Sequence, residues 1–424
     1  MDIVILLPLL VTLAGIYLII KLRFFYIFHP IRTMRCLLSS LSDSSSRTSL
    51  ALALAGTLGV GNIVGVALGI LIGGCGSIFW LFFSGVFAIV LKYCEAVLVA
   101  DSGRSVRGSM IHVIKNSFVK YGSVFAYIYA LLCLLLSFVM GASLQSASAI
   151  YFSGQVLLLD VKFLGIMFTL VVFCGVLGGV KKIEKITVFI IPLSTTIYIF
   201  LALMTILYNF SEVPDALVRI MNDAFSVRSA LGGCCGFSIA IKMREGYARG
   251  ILSNEAGAGT SSMAHSRSGA DSVNIGLCGI IEVIFDTLIL CTITGLAVVV
   301  SVPDLSLYSS GVELILDSIG AVFGNLSRYL MLLCVLSFAY STVICWYYYG
   351  EECYAYLFGI RKWIFFVIYI AFVLSGSFVS LDFFVYAADY LLLFLSILST
   401  TTVIKNSDRI VHLSENFGLI SPRH

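Results

Sequence analysis

The chain has 424 residues, of which 60% are hydrophobic and only 12% charged, with a mean hydropathy of +1.05. A soluble domain carries about 25% charged residues, so the composition excludes an ordinary soluble enzyme or nucleic-acid binder and points to an all-α protein that crosses a bilayer many times. The net charge of +3 decides little, because where the charges lie matters more than their sum.

Apolar runs fall at 3–20, 50–72, 77–100, 123–152, 161–180, 187–209, 229–250, 274–302, 324–350, 363–380 and 383–403, which makes eleven candidate transmembrane helices near the ~20 residues a bilayer needs. The first has the length of a signal peptide but lacks a basic n-region and a small-residue cleavage site, so it counts as a helix. The 12 cysteines are scattered through the apolar runs, without CxxC pairs or histidines at ligand spacing, which argues against disulfides and metal clusters. Lys and Arg gather in every second loop. The segments 21–47, 101–122, 181–186, 242–267, 361–362 and 405–424 hold 21 of the 26, whereas the loops between hold only Lys162, Arg219, Arg228 and Arg328. Positive residues favour the inside, so the N-terminus is expected outside and the C-terminus in the cytoplasm.

The second run contains GTLGVGNIVG at 56–65. Gly61 and Gly65 have the GxxxG spacing of close helix packing, but Gly56, Gly59 and Gly61 fall on different faces, and Thr57 and Asn62 add polar groups. A dinucleotide-binding loop is excluded, since no strand precedes the glycines and their spacing is GxGxxxG. The favoured reading is a helix unwound in mid-membrane, where irregular backbone is tolerated only against a cavity. The seventh run carries a second cluster, GGCCGFS at 232–238. Each broken run opens a set of five. Five is odd, so the sets lie inverted across the membrane, as in transporters built from inverted repeats. The chain then divides into an accessory helix and loop (1–49), a first repeat (50–210), a second repeat (211–404) and a cytoplasmic tail (405–424). Gly59, Gly61 and Gly233 would line a midplane site. Freed amides at half-helix N-termini suit a carboxylate, and freed carbonyls suit a hard cation such as Na⁺. Together they suit a zwitterionic amino acid with a co-transported ion.

Five segments resemble the alanine or glycine:cation symporters: GTLGVGNIVGVALG (56–69), GGCGSIFWLFFSGVFAIVLKYCE (73–95), GGVKKIEK (178–185), GYARGILSNEAGAGTSSMAHS (246–266) and FAYSTVICWYYYGE (338–351). RGILSNEAGAG stands close to that family's RGLFSNEAGMG. The resemblance implies a LeuT-type fold, ten core helices after one accessory helix, and Na⁺-coupled import of alanine or glycine. It implies substrate-site roles for Thr57, Gly59, Asn62, Gln145, Thr342 and Trp346. It also implies a Na⁺ site made by Ser341 and Thr342 with the carbonyls of Ala55 and Leu58. Some positions depart from the pattern. Leu81 and Phe82 interrupt an FWMW signature, Cys345 and Tyr347 flank Trp346, and Glu282 stands where a small residue is expected. Ala147 replaces a larger side chain and would leave room beside Gln145 for larger substrates.

Lys92 and Glu95, three apart, are expected to form an intrahelical ion pair. Glu282 and Asp286 share one helix face, so one should stay protonated or hold a cation. The polar SNEAGAG loop (253–259) is expected as a cytoplasmic inner gate or hinge, and the tract from Trp346 to Tyr349 as an aromatic belt at the inner interface. His112 and His265 fall in loops, and no Ser/His/Asp set stands in the runs, so an enzyme is not expected. Partners reduce to a small neutral amino acid and membrane lipid, not nucleic acid. Nothing sets an oligomeric state, and a monomer suffices for the site. Proton coupling or a changed substrate stays open on the strength of Glu282 and Ala147, as do an amino-acid sensor and a channel.

Overall fold

The computed structural model describes residues 3–25, 53–102, 110–177, 180–226, 235–265, 271–359 and 362–420, with Met34, Arg35, Leu38 and Leu50 besides. These residues form helices and turns, without a strand among them. The principal helices are α1 (Leu6–Lys21), α2 (Val64–Gly73), α3 (Ser77–Ser102), α4 (Gly122–Leu157), α5 (Val161–Leu177), α6 (Val180–Tyr208), α7 (Val213–Ala224) and α8 (Cys235–Asn254). They continue as α9 (Ser272–Ser301), α10 (Asn325–Phe358), α11 (Lys362–Ser375), α12 (Leu381–Lys405) and α13 (Ser407–Asn416). Among the described residues seven helices are long and apolar enough to cross a membrane: α1 with its leading turn, α3, α4, Ile190–Tyr208 within α6, α9, α10 and α12. α2, α5 and α11 are shorter apolar helices. α8, the counterpart of the run at 229–250, carries Lys242, Arg244, Glu245 and Arg249.

α3 lies at the centre of one group, packed on α8, α9 and α1, with α2 against α8. Lipid supplies no hydrophobic drive between helices, so small residues that permit close approach do much of the work. On α8, a Cβ at Gly246 would lie 2.4 Å from the Ser77 carbonyl and one at Gly250 2.2 Å from Ser84 Oγ. On α9, Gly276 and Gly279 meet Tyr93, Val97 and Lys92 in the same way. A second group holds α4, α5, α10 and α11, where Phe138 stacks on Phe372 with ring centres 4.7 Å apart and Tyr347 packs on Phe365 and Tyr369. α6 packs along α10, and α12 bridges α4 and α1.

Charges close both ends. At one end, Lys21–Asp408 (2.6 Å), Arg23–Glu415 (2.9 Å) and Arg409–Asp101 tie α13 to α1 and α3. At the other, Asp223 of α7 accepts from the Gly76 amide (2.8 Å) and from Lys242 (2.6 Å). Burial pushes the Asp223 carboxyl up, but the hydrogen bonds from Lys242 and the Gly76 amide outweigh it and hold the group below its usual range. Lys242, Arg244 and Arg249 therefore belong to a helix at the Gly74 end. They do not lie in a loop at the opposite end, where the charge pattern had placed them, because α8 starts at Cys235 and faces Ser77–Ser84.

Candidate functional site

The run at 50–72 is broken at its middle. Helix at 53–57 stops at Leu58, Gly59 is extended (φ −118°, ψ −171°), Val60–Asn62 make one 3-10 turn, and α2 restarts at Val64. Position 59 has no room for a side chain, since a Cβ there would lie 2.9 Å from Gln145 Oε1 and 3.0 Å from Thr342 Oγ1. The freed backbone groups are met from three directions. The Gly59 amide donates to Asn62 Oδ1 (3.0 Å) and the Val60 amide to Gln145 Oε1 (3.1 Å). The Thr342 hydroxyl lies 3.3 Å from both the Ala55 and the Leu58 carbonyl. Gly61 differs: nothing stands within 4 Å of its Cβ position, and it lines a narrow cavity with Gly65, Leu144, Ser148 and Leu252.

A second break stands where the sequence reading set none. Gly232 and Gly233 fall outside the described residues, and from Cys235 α8 runs uninterrupted to Asn254. The break is the segment that follows. Glu255 (φ 55°), Gly257 (φ 87°) and Gly259 (φ 74°) are left-handed, a conformation that glycine adopts at little cost and other residues do not. That requirement accounts for the glycines of SNEAGAG. The segment is buried from Glu255 to Ser261, and Asn254 is joined to the middles of two long helices. Lys92 of α3 donates to the Asn254 carbonyl (2.6 Å), and the Asn254 amide donates to Thr287 of α9 (2.9 Å). The loop thus lies at mid-depth opposite the first break, which corrects its reading as a gate at the cytoplasmic surface.

A hydrogen-bonded knot joins the first break to α8 and α9. Asn62 Nδ2 donates to Asp286 Oδ1 (2.5 Å) and to Ser253 Oγ (2.9 Å), while Ser253 and Thr287 donate to Asp286 Oδ2 (2.6 and 2.8 Å). Two π-helical stretches flank the site: Ser137–Leu144, directly before Gln145, and Ile284–Cys291, around Asp286. Such turns occur mostly at functional sites, and no composition signal marks them. Ser253, the first residue of SNEAG, was read from the sequence only as part of that loop and not as a site residue.

Gly59, Asn62, Gln145 and Thr342 come together at the first break. Trp346, one turn beyond Thr342, is fully buried and its indole N–H donates to Glu255 Oε1 of the second break (3.1 Å). Tyr348 and Tyr349 are buried as well, and only Tyr347 of the tract is partly exposed, so three of its four rings pack inside the protein and do not form a surface belt. Thr57 turns back along its own helix to the Ala53 carbonyl (3.1 Å) and Ser341 to the Phe338 carbonyl (2.9 Å). The Thr342 hydroxyl with the carbonyls of Ala55 and Leu58 makes a neutral group of oxygens, the donor chemistry a hard cation takes, whereas the Ser341 hydroxyl is spent on its own helix.

Two further expectations change. Lys92 pairs with Glu282 (2.8 Å) and not with Glu95, so Glu282 and Asp286 are served by different partners and do not compete. On α4, Ser143 bonds the Phe372 carbonyl and Ser375, and Ser146 and Ala147 adjoin Gly376. This 143/146/147 stripe faces the end of α11, so Ala147 leaves no extra room beside Gln145. Toward the Gly74 end, one turn beyond the cavity at Gly61, Arg249 of α8 lies over Gly69 and binds Asp389 of α12 (2.5 Å), both 1% exposed. A wider cavity of about 400 Å³ lies apart from both breaks, lined mostly by apolar side chains of α4, α5, α6 and α10, with Ser153, Ser337 and Tyr340 among them. It lacks the convergent polar groups of a solute site.

Residues 1–418 match the model of a family described as the sodium:alanine symporter family. The chain is 32% identical over 379 residues to an uncharacterized transporter of Haemophilus influenzae, covering 84% of this chain and 80% of the relative. It is 30% identical over 367 residues to the sodium/alanine symporter AgcS of Methanococcus maripaludis, covering 82% and 80%. Among solved structures it is similar to MhsT in complex with L-phenylalanine (TM-score 0.63, 14% identity, 88% of this chain and 95% of that chain). It is also similar to a Na⁺-coupled sialic acid symporter in a substrate-bound outward-open state (TM-score 0.53, 12% identity, 96% and 86%). Likeness at these identities speaks for the fold alone, a LeuT-type arrangement of inverted five-helix sets.

Proposed function

The chain belongs to the sodium:alanine symporter family, a transporter family and not an enzyme family, and from that premise we propose that it imports alanine or glycine together with Na⁺ through the site between its two breaks. Na⁺ is held by the Ala55 and Leu58 carbonyls with the hydroxyls of Thr342 and Ser341. The substrate carboxylate faces the backbone at Gly61, just before α2, where the helix dipole favours an anion. Gln145 holds that backbone in place, and Trp346 forms a wall.

The observation that carries this reading is the single Thr342 hydroxyl 3.3 Å from two carbonyls of the first break. An ion among those oxygens sets the shape of the same backbone that receives the substrate, which is what positive coupling requires. With the N-terminus outside, the Gly74 end is extracellular and the Arg249–Asp389 pair is the outer closure. One charge moving inward down ~100 mV contributes ~2.3 kcal/mol of drive.

Proteoliposomes decide the matter. Labelled alanine should accumulate under an inward Na⁺ gradient and not without it. Thr342→Ala with Ser341→Ala should raise the Na⁺ concentration for half-maximal uptake more than the alanine concentration at saturating Na⁺. Uptake indifferent to Na⁺ would overturn the assignment.

A further inference from the structure

Lys92 of α3 is 1% exposed, and Gly279 of α9 makes room for its stem, since a Cβ there would lie 3.1 Å from Lys92 Cγ. An ammonium carries three N–H donors and no acceptor. Lys92 Nζ donates to the Asn254 carbonyl at 2.6 Å and stands 2.8 Å from Glu282 Oε1 of α9. The carboxylates of Glu95 and Glu255 also face it. One nitrogen thus joins α3, the end of α8 and α9.

Asn254 is the last residue of α8, and the backbone turns left-handed directly after it, at Glu255 (φ 55°). The last carbonyls of a helix lack partners within it and carry the negative end of its dipole, which favours a cation. A covalently held ammonium therefore sits where the helix breaks. The first break is met differently: its carbonyls at Ala55 and Leu58 face the neutral hydroxyl of Thr342.

The side chain of Asn254 leads onward to the first break. Its Oδ1 accepts from the Ala256 amide (2.8 Å), which fixes the group so that Nδ2 donates to Thr287 Oγ1 (2.9 Å). Thr287 donates to Asp286 Oδ2 (2.8 Å), Asn62 Nδ2 donates to Asp286 Oδ1 (2.5 Å), and Asn62 Oδ1 accepts from the Gly59 amide (3.0 Å). Hydrogen bonds through these residues connect Asn254, held by Lys92, to the turn at Gly59 beside Thr342.

We propose that Lys92 is a positioning residue of the transport site. By holding the Asn254 carbonyl, its ammonium sets Asn254 against Thr287 and Asp286 and so preforms the turn at Gly59 that receives the ion and the amino acid. Lys92 touches neither ligand. Methionine at position 92 fills a similar space without a donor. The end of α8 is then free to shift, and the turn must be ordered at the moment of binding, which weakens affinity. The inference rests on the symporter reading.

The test measures Na⁺-driven alanine uptake in proteoliposomes, and Tm in detergent, for the native protein, Lys92→Met, Glu282→Gln and the double variant. Glu282→Gln keeps Lys92 on the Asn254 carbonyl, so its half-saturating alanine concentration should stay within about twofold of native. Lys92→Met should raise that concentration about tenfold at saturating Na⁺, equivalent to ~1.4 kcal/mol. The double variant removes the ion pair whole and should show the same rise, whatever its Tm. A role confined to the ion pair predicts otherwise. Glu282→Gln as impaired as Lys92→Met, or a double variant with native half-saturation, overturns the proposal and leaves the symporter reading standing. If the position-92 variants do not fold, Thr287→Val tests the next link with Lys92 in place. It should raise half-saturating alanine about tenfold, and Thr287→Ser, which restores the hydroxyl, should recover most of the loss. Equal values for the two overturn the proposal. A native protein that takes up no alanine with Na⁺ overturns the symporter reading and this inference with it.

Discussion

The first break holds its shape with neutral groups, the second with a carboxylate. From Leu58 to Ile63 no side chain is ionisable, and the exposed backbone is met by the amides of Asn62 and Gln145 and the hydroxyl of Thr342 at 3.0–3.3 Å. From Glu255 to Ser261 the backbone is fixed by three left-handed residues, and Glu255 is bonded to Trp346 and Thr260. Neutral oxygens select a ligand by geometry and release it readily. A buried carboxylate selects by charge and must be neutralised whenever water is excluded. The inverted repeat therefore duplicates the topology and not the chemistry, and the two breaks should respond to different substitutions.

The sharpest separation is at Gly59 and Gly61. Gly59→Ala puts a methyl group into the space of Gln145 Oε1 and Thr342 Oγ1, and should cut Na⁺-driven alanine uptake about a hundredfold, ~2.7 kcal/mol of lost binding. Gly61→Ala, with open space at its Cβ position, should keep most of it. Equal losses in initial-rate assays would mean that the first break is not a geometric cage. Trp346→Phe removes the donor to Glu255 and should destabilise the detergent-solubilised protein by about 1–3 kcal/mol, read as a lower Tm. Adding Glu255→Gln should then cost less than it does alone, because the two changes act on one hydrogen bond. Gly257→Ala has free space, its nearest neighbour being Thr400 Oγ1 at 3.5 Å, but sits at φ 87°. About 1–2 kcal/mol of backbone strain should lower Tm without moving the Na⁺ half-saturation. The smallest effect belongs outside both breaks. Ala147→Ser faces Gly376 of the α11 turn and should leave the glycine-to-alanine preference unchanged in competition assays. A shifted preference would put residue 147 back in the pocket.

The first break was legible because its glycines, its asparagine and its apolar context are neighbours in the chain. The oxygen set of Thr342 with Ala55 and Leu58 followed from the family resemblance, and the geometry places those groups within 3.3 Å. The break from Glu255 to Ser261 was missed for a physical reason. GGCCGFS is apolar and looks like membrane, whereas Lys242 to Arg249 and SNEAGAG look like a solvated loop. Hydropathy weighs each residue as if water or lipid were its only surroundings. Arg249 instead finds Asp389, 140 positions away, and Lys92 finds Glu282 in preference to Glu95 one turn along its own helix.

Apolar content, run length and local glycine spacing are properties of contiguous residues, so the sequence alone determined the helical membrane class, the first break and the family pattern. The depth of SNEAGAG, the two π-helical stretches, the scaffold-facing side of Ala147 and the partners of every buried charge were decided only in the tertiary structure. The free energy of burying a polar group depends on the partner that another helix brings to it, and that partner lies at a separation no local pattern encodes.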